Sequence, residues 1–129
     1  MEVLSSRILL HPVDFAPSLH FYRDILALPV YREWGVEGEP AHGIVFFLGG
    51  GYLELSGRST TPPDDKLELW LQVRDVDATH EELVAKGVVI EEAPVDKPWG
   101  LREMRALDPD GVHLVIIEIP RDHPLRYRP

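Results

Sequence analysis

Two glutamates, Glu54 and Glu68, stand inside short apolar stretches where a charge calls for a reason. Glu54 lies in Tyr-Leu-Glu-Leu-Ser (52–56), and Glu68 in Leu-Glu-Leu-Trp-Leu-Gln-Val (67–73). Period-two alternation sends Tyr52, Glu54 and Ser56 to one face of a strand and Leu53 and Leu55 to the other. In the same way Glu68, Trp70 and Gln72 oppose Leu67, Leu69, Leu71 and Val73. A carboxylate so placed can serve as a general base, as a hard metal ligand, or as half of a buried ion pair. Trp70, and Trp99 in Lys97-Pro98-Trp99-Gly100, offer flat surfaces on which a ligand ring can stack, although core packing is the plainer role of each. No Ser-His-Asp arrangement or phosphate loop is visible, and the absence of Cys excludes disulfides, thiolate ligands and thiol nucleophiles.

Composition narrows the classes further. The 129 residues are one domain's worth of chain, and 44% hydrophobic with 27% charged residues is ordinary for a globular protein. The net charge of −9 argues against nucleic acid, whose phosphates need a basic patch, and favours cationic over anionic ligands. Solubility is the plainer explanation of that charge. No apolar run reaches the roughly 18 residues of a membrane helix. Met1 to Ser6 lacks the basic and apolar regions of a signal peptide, so the expected location is cytoplasmic.

The elements that must hold these side chains read as follows. Ile8 to Pro12 is a strand, and Asp14 and Pro17 open a helix whose buried face carries Leu19, Tyr22, Ile25 and Leu26. Strands follow at Val30–Trp34, Gly43–Leu48 and Tyr52–Ser56, with a Gly/Pro/Glu loop from Gly35 to His42. After a polar stretch the order restarts: a strand at Leu67–Val73, a helix capped by Asp75 or Asp77 and ended by Gly87, and a strand at Val88–Ala93. Asp96 to Gly100 is a loop, and Gly100 to Glu118 is a hairpin turning at Asp108-Pro109-Asp110-Gly111. Many counterparts stand 61 positions apart: Arg7 and Glu68, Asp14 and Asp75, Gly50 and Gly111, Leu53 and Leu114. The chain is therefore an α+β internal repeat of two β-α-β-β-β modules: module 1 about 1–57, linker 58–66, module 2 about 67–119 and a surface tail 120–129, all in one domain 1–129.

This repeat and the closing hairpin resemble the vicinal-oxygen-chelate superfamily of glyoxalases, bleomycin-resistance proteins and extradiol dioxygenases. The resemblance implies curved mixed sheets around a concave groove, commonly completed by a second copy, so a homodimer is expected. It also implies four metal-ligand positions: seven residues before each helix-opening Asp, and four after each turn Gly. Here those positions hold Arg7, Glu68, Glu54 and Val115. Arg stays protonated and Val has no donor, so the usual His/Gln/Glu set is broken. An Arg7–Glu54 or Arg7–Glu68 pair could take the metal's place. His113, on the face of Val115, could instead join Glu54 in a shifted site, while the other His read as polar or packing positions.

The expectation is a small-molecule binding protein without cofactor, closest to the bleomycin-resistance branch. Its ligand would meet Arg7, Glu54, Glu68, Trp70, Trp99 and His113 in one groove, and neither nucleic acid nor membrane would be a partner. The alternatives are a glyoxalase- or dioxygenase-type enzyme with a divalent metal bound through Glu54, and a metal-free enzyme using Glu54 or Glu68 as base.

Overall fold

The computed structural model describes residues 1–123, so residues 124–129 of the expected tail lie outside the described residues. The chain divides into two compact units, Met1–Pro63 and Asp64–Pro129, with the boundary inside the expected linker. Each unit carries one β-α-β-β-β module.

In the first unit the elements are β1 (Arg7–Leu10), α1 (Phe15–His20), β2 (Val30–Trp34), β3 (Gly43–Leu48) and β4 (Gly51–Leu55). They form a mixed sheet of order β1-β4-β3-β2, with β1 parallel to β4 and the other pairs antiparallel. The second unit repeats it with β5 (Glu68–Gln72), α2 (Val76–Ala85), β6 (Val89–Asp96), β7 (Arg102–Leu107) and β8 (His113–Glu118), in the order β5-β8-β7-β6. The main departure is β6. It runs through Pro94 to Asp96, beyond the expected end at Ala93, and interruptions in its pairing with β7 near Glu92 accommodate the proline.

Alternation sorts the faces as expected. In the first sheet Leu10, Ile44, Phe46, Leu53 and Leu55 are buried with Phe15 and Leu19 of α1, which packs on β4. In the second, Leu69, Met104, Ala106, Leu114 and Ile116 are buried with Val76 and Leu83 of α2. Trp70 is 53% exposed where its neighbour Leu69 is 2%, so the register read for β5 holds. The face of each sheet opposite this core is its open face.

The two helices differ in an instructive way. Asp75 caps α2 by accepting from the Ala78 backbone N–H, and the Glu118 carboxylate accepts from that of Val76. Asp14, in the same place before α1, is extended but makes no such side-chain bond. Helix α1 begins at Phe15, two residues before Pro17, and continues into a widened turn, Phe21–Ile25, in which Leu26 N–H reaches back five residues to Phe21. One extra residue is absorbed here as a π-type bulge. The chain then leaves through Ala27 at φ 53, whereas the second unit uses Gly87 at φ 79. The spacing of counterparts shifts with it: Ala27 and Gly87 are 60 apart, as are Phe46 and Ala106, while Leu53 and Leu114 are again 61 apart. A longer hairpin in the second unit restores the register.

Ala27 occupies a backbone region that costs a side chain roughly 1 kcal/mol. Ala27→Gly is therefore expected to raise the unfolding free energy by about 0.5 kcal/mol, after the greater unfolded-state entropy of Gly is subtracted. Urea midpoints of the two proteins check this; a lower midpoint for the variant would contradict the assignment of strain to Ala27.

Candidate functional site

On the open face of the first sheet, Arg7 begins β1 and Glu54 lies on the adjoining β4. The parallel register sets Arg7 opposite Tyr52, two residues before Glu54, so the guanidinium reaches diagonally along one face. Arg7 Nη1 donates to Glu54 Oε1 at 2.8 Å, and Ser56 Oγ donates to Glu54 Oε2 at 2.7 Å. The Ser56 hydroxyl and then the Arg7 guanidinium hold the Glu54 carboxyl below the usual carboxylate range, against a desolvation that opposes them. Both oxygens of Glu54 are thus engaged, with its side chain 13% exposed and that of Arg7 35%.

Next to this pair stand Tyr31, Phe47 and Tyr52, from three adjacent strands. Their ring centroids lie 4.9–5.7 Å apart, at tilted to edge-on angles. Rings this close leave no slot between them; they present an exposed aromatic platform, with Tyr31 and Phe47 nearly half exposed. Only Tyr52 of the three was assigned to this face from sequence.

The open face of the second sheet has a different chemistry. Here Leu101, Val115, Ile117 and Ile119 form a buried apolar cluster, 0–7% exposed. Glu68 pairs with Arg105 across β8. His113 Nδ1 lies 2.8 Å from Glu91 Oε1. Trp70 is exposed beside Val115, its register partner. Trp99 stands in the loop before β7, and its indole N–H donates to Glu103 Oε1 at 2.6 Å. Arg105 and Glu103 escape a reading by the 61-residue spacing, which sets Arg105 against Ile44. The longer hairpin makes Val45 its true counterpart, so the side chain falls on the other face.

The remaining histidines differ in environment. His42, expected as an ordinary polar residue at a strand end, is instead fully buried. Its Nε2 lies 2.6 Å from Glu33 and its ring packs edge-on against Phe15. His11 is exposed and lies 2.5 Å from the Ser56 carbonyl oxygen.

Residues 6–116 match the family model of the Glyoxalase/Bleomycin resistance protein/Dioxygenase superfamily. The chain belongs to this superfamily. Among curated relatives, the uncharacterized protein YraH of Bacillus subtilis (strain 168) is 34% identical over 124 residues, covering 85% of this chain and 92% of YraH. Among solved structures, TnmS3, an antibiotic binding protein from Streptomyces sp. CB03234, superposes with TM-score 0.74 at 22% identity, covering 92% of this chain and 98% of its own. A lactoylglutathione lyase from Agrobacterium tumefaciens superposes with TM-score 0.67 at 18% identity, covering 92% and 94%. At these identities the two structures speak for the fold alone, and they show it carrying both a binding protein and an enzyme.

The metal that many superfamily members carry can be tested against the residues present. Of the four ligand positions implied by the resemblance, Arg7 places a cation on Glu54, and Glu68 is engaged by Arg105. Val115 is 7% exposed within the apolar cluster. Among the described residues, no group of three or more His, Asp or Glu side chains is arranged to hold an ion. This donor set does not fit a divalent metal: a cation entering beside Glu54 would have to displace a guanidinium that cannot be neutralised.

Proposed function

We propose that this chain is a small-molecule binding protein that works without a metal, in the manner of the bleomycin-resistance branch of its superfamily. One observation carries the reading: the Arg7 guanidinium sits on Glu54, the position where a metal-dependent relative would hold its ion. An internal cation in that place supplies the charge balance a metal would supply, but offers no Lewis acid and no open coordination position. The open faces suit ligand capture. The first offers the Tyr31–Phe47–Tyr52 platform, and the second the exposed rings of Trp70 and Trp99. The likeness in fold to TnmS3, described as an antibiotic binding protein, agrees with this role.

The reading includes a homodimer, because among the described residues each sheet ends in edge strands, β1 and β2 in one and β5 and β6 in the other. Cytoplasmic location belongs to it as well: the chain has no Cys, and among the described residues no helix is long and apolar enough to cross a membrane. The rival is a metal-dependent lyase or dioxygenase-type enzyme that recruits Glu54. A thermal-shift screen of flat aromatic compounds against chelator-treated protein separates the two. Binding in the absence of metal should raise the melting temperature in proportion to ligand concentration. A rise that appears only after divalent metal is restored would favour the rival.

A further inference from the structure

The register of the first sheet sets its open-face residues in rows that cross the strands. One row is Arg7, Tyr52 and Phe47, and Tyr31 joins it through its ring contacts. The next is Leu9, Glu54, Val45 and Arg32. In a third, Trp34 stands opposite Gly43. Strict alternation would send Tyr31 and Arg32, which are adjacent, to opposite faces. The pairing of β2 with β3 slips between Val30 and Arg32, and this bulge brings both side chains to the open face. Glu33, the next residue, returns to the core side opposite Ile44, where it meets His42.

The two cations of these rows are in different states. Arg7 is committed to Glu54. Arg32 is exposed, and among the described residues it takes part in no ion pair. A ring holds it instead: its guanidinium carbon lies 5.5 Å from the Trp34 ring centre. Trp34 is itself held, because its ring lies directly on Gly43, where an added Cβ would come within 2.3 Å of it. A guanidinium over an aromatic ring keeps its edge N–H groups free to donate in parallel to a carboxylate. Two guanidinia against the single carboxylate of Glu54 leave these rows with one positive charge, on a chain whose net charge is −9. That local excess adjoins the aromatic platform, in which Tyr31 is 49% and Phe47 42% exposed.

We propose that Arg32 is the charge-recognition residue of a ligand site on the first sheet, and that this site selects flat aromatic carboxylates. The ring of the ligand lies on the Tyr31–Phe47 side of the platform, and its carboxylate takes the parallel N–H groups of Arg32. This rests on the binding-protein reading above and adds a ligand class to it. The net charge of −9 slows the approach of an anion, but salt screens that long-range field, and the contact with Arg32 decides at short range.

Three fluorescent probes that share one ring system test it: 2-naphthoate, its neutral amide 2-naphthamide, and the cation 2-naphthylmethylammonium. At neutral pH the wild type should bind 2-naphthoate roughly five- to tenfold more tightly than 2-naphthamide, and the cation more weakly than either. Arg32→Gln should bring 2-naphthoate down to the affinity of the amide. Arg32→Lys keeps the charge but loses the parallel donors, so it should keep only part of the preference. This second variant decides the matter if Arg32→Gln does not fold. A preference that survives Arg32→Gln, or is undiminished in Arg32→Lys, would overturn the role of Arg32 and leave the binding function standing. Tighter binding of the amide or the cation than of the acid would overturn the ligand class, again with the binding function intact. Failure of all three probes to bind the wild type would overturn the ligand class and count against the binding function itself.

Discussion

Replacing Phe46 by Ala should lower the unfolding free energy by about 3–5 kcal/mol, while replacing its neighbour Phe47 by Ala should cost roughly 1 kcal/mol. The two residues have the same side chain and differ only in the face they take. Phe46 is fully buried in the middle of β3, opposite Leu53 and on the side of α1, so its loss opens a cavity that the surrounding sheet cannot close. Phe47 points to the open face at 42% exposure and loses little more than its ring contacts with Tyr31 and Tyr52. Urea unfolding of both variants reads the difference directly. Equal losses, or a larger one for Phe47, would mean that the register of β3 is shifted by one residue and that every open-face assignment in the first unit is reversed.

The second large effect concerns the ion pair. Arg7→Leu should cost about 1–2 kcal/mol at neutral pH, because it leaves the Glu54 carboxylate mostly desolvated with only the Ser56 hydroxyl as partner. The range is kept low because Arg7 is 35% exposed and water screens the pair in part. Arg7→Leu with Glu54→Leu should recover most of the loss, since removing both charges leaves neither unpaired. The pH dependence has a definite sign. The native Glu54 carboxyl lies below its ordinary value of 4.5, so its contribution to stability is fully present above that pH and is lost as pH falls through the native value. The gap between wild type and Arg7→Leu should therefore be constant from neutral pH down to about pH 5 and narrow below it. Chemical unfolding across that range checks the sign; a gap that widens in acid would contradict the pairing.

The fold was legible because two signals agreed, alternation within strands and a fixed spacing between modules. Leu53 with Leu114, and Glu68 with Trp70, fell on the faces that alternation assigned. The spacing failed where one unit carries a residue the other lacks. The widened turn at Phe21–Ile25 leaves no mark in residue type, because a π-type bulge needs no special side chain and Ala27 stands where Gly would have announced the turn. That single residue shifts β3 against β7 and hid Arg105 and Glu103 from any reading by correspondence. His42 was missed for a different reason. Its place near the start of β3 suggested an ordinary polar residue, whereas the chain turns it inward against Phe15, where Glu33 meets Nε2. The Arg7–Glu54 contact could be anticipated because neighbouring parallel strands bring residues two apart within reach. The choice between Arg7–Glu54 and Arg7–Glu68 could not, since nothing in the sequence showed that Arg105 would take Glu68.

The central claim is that an internal guanidinium replaces the metal of this superfamily, and metal analysis of the purified protein tests it most directly. Protein isolated from cells grown with added zinc, iron, manganese and nickel should carry far less than one equivalent of any of them by mass spectrometry. Its melting temperature should not change after treatment with a chelator. A stoichiometric metal that is retained through purification and lost in Glu54→Gln would contradict the claim.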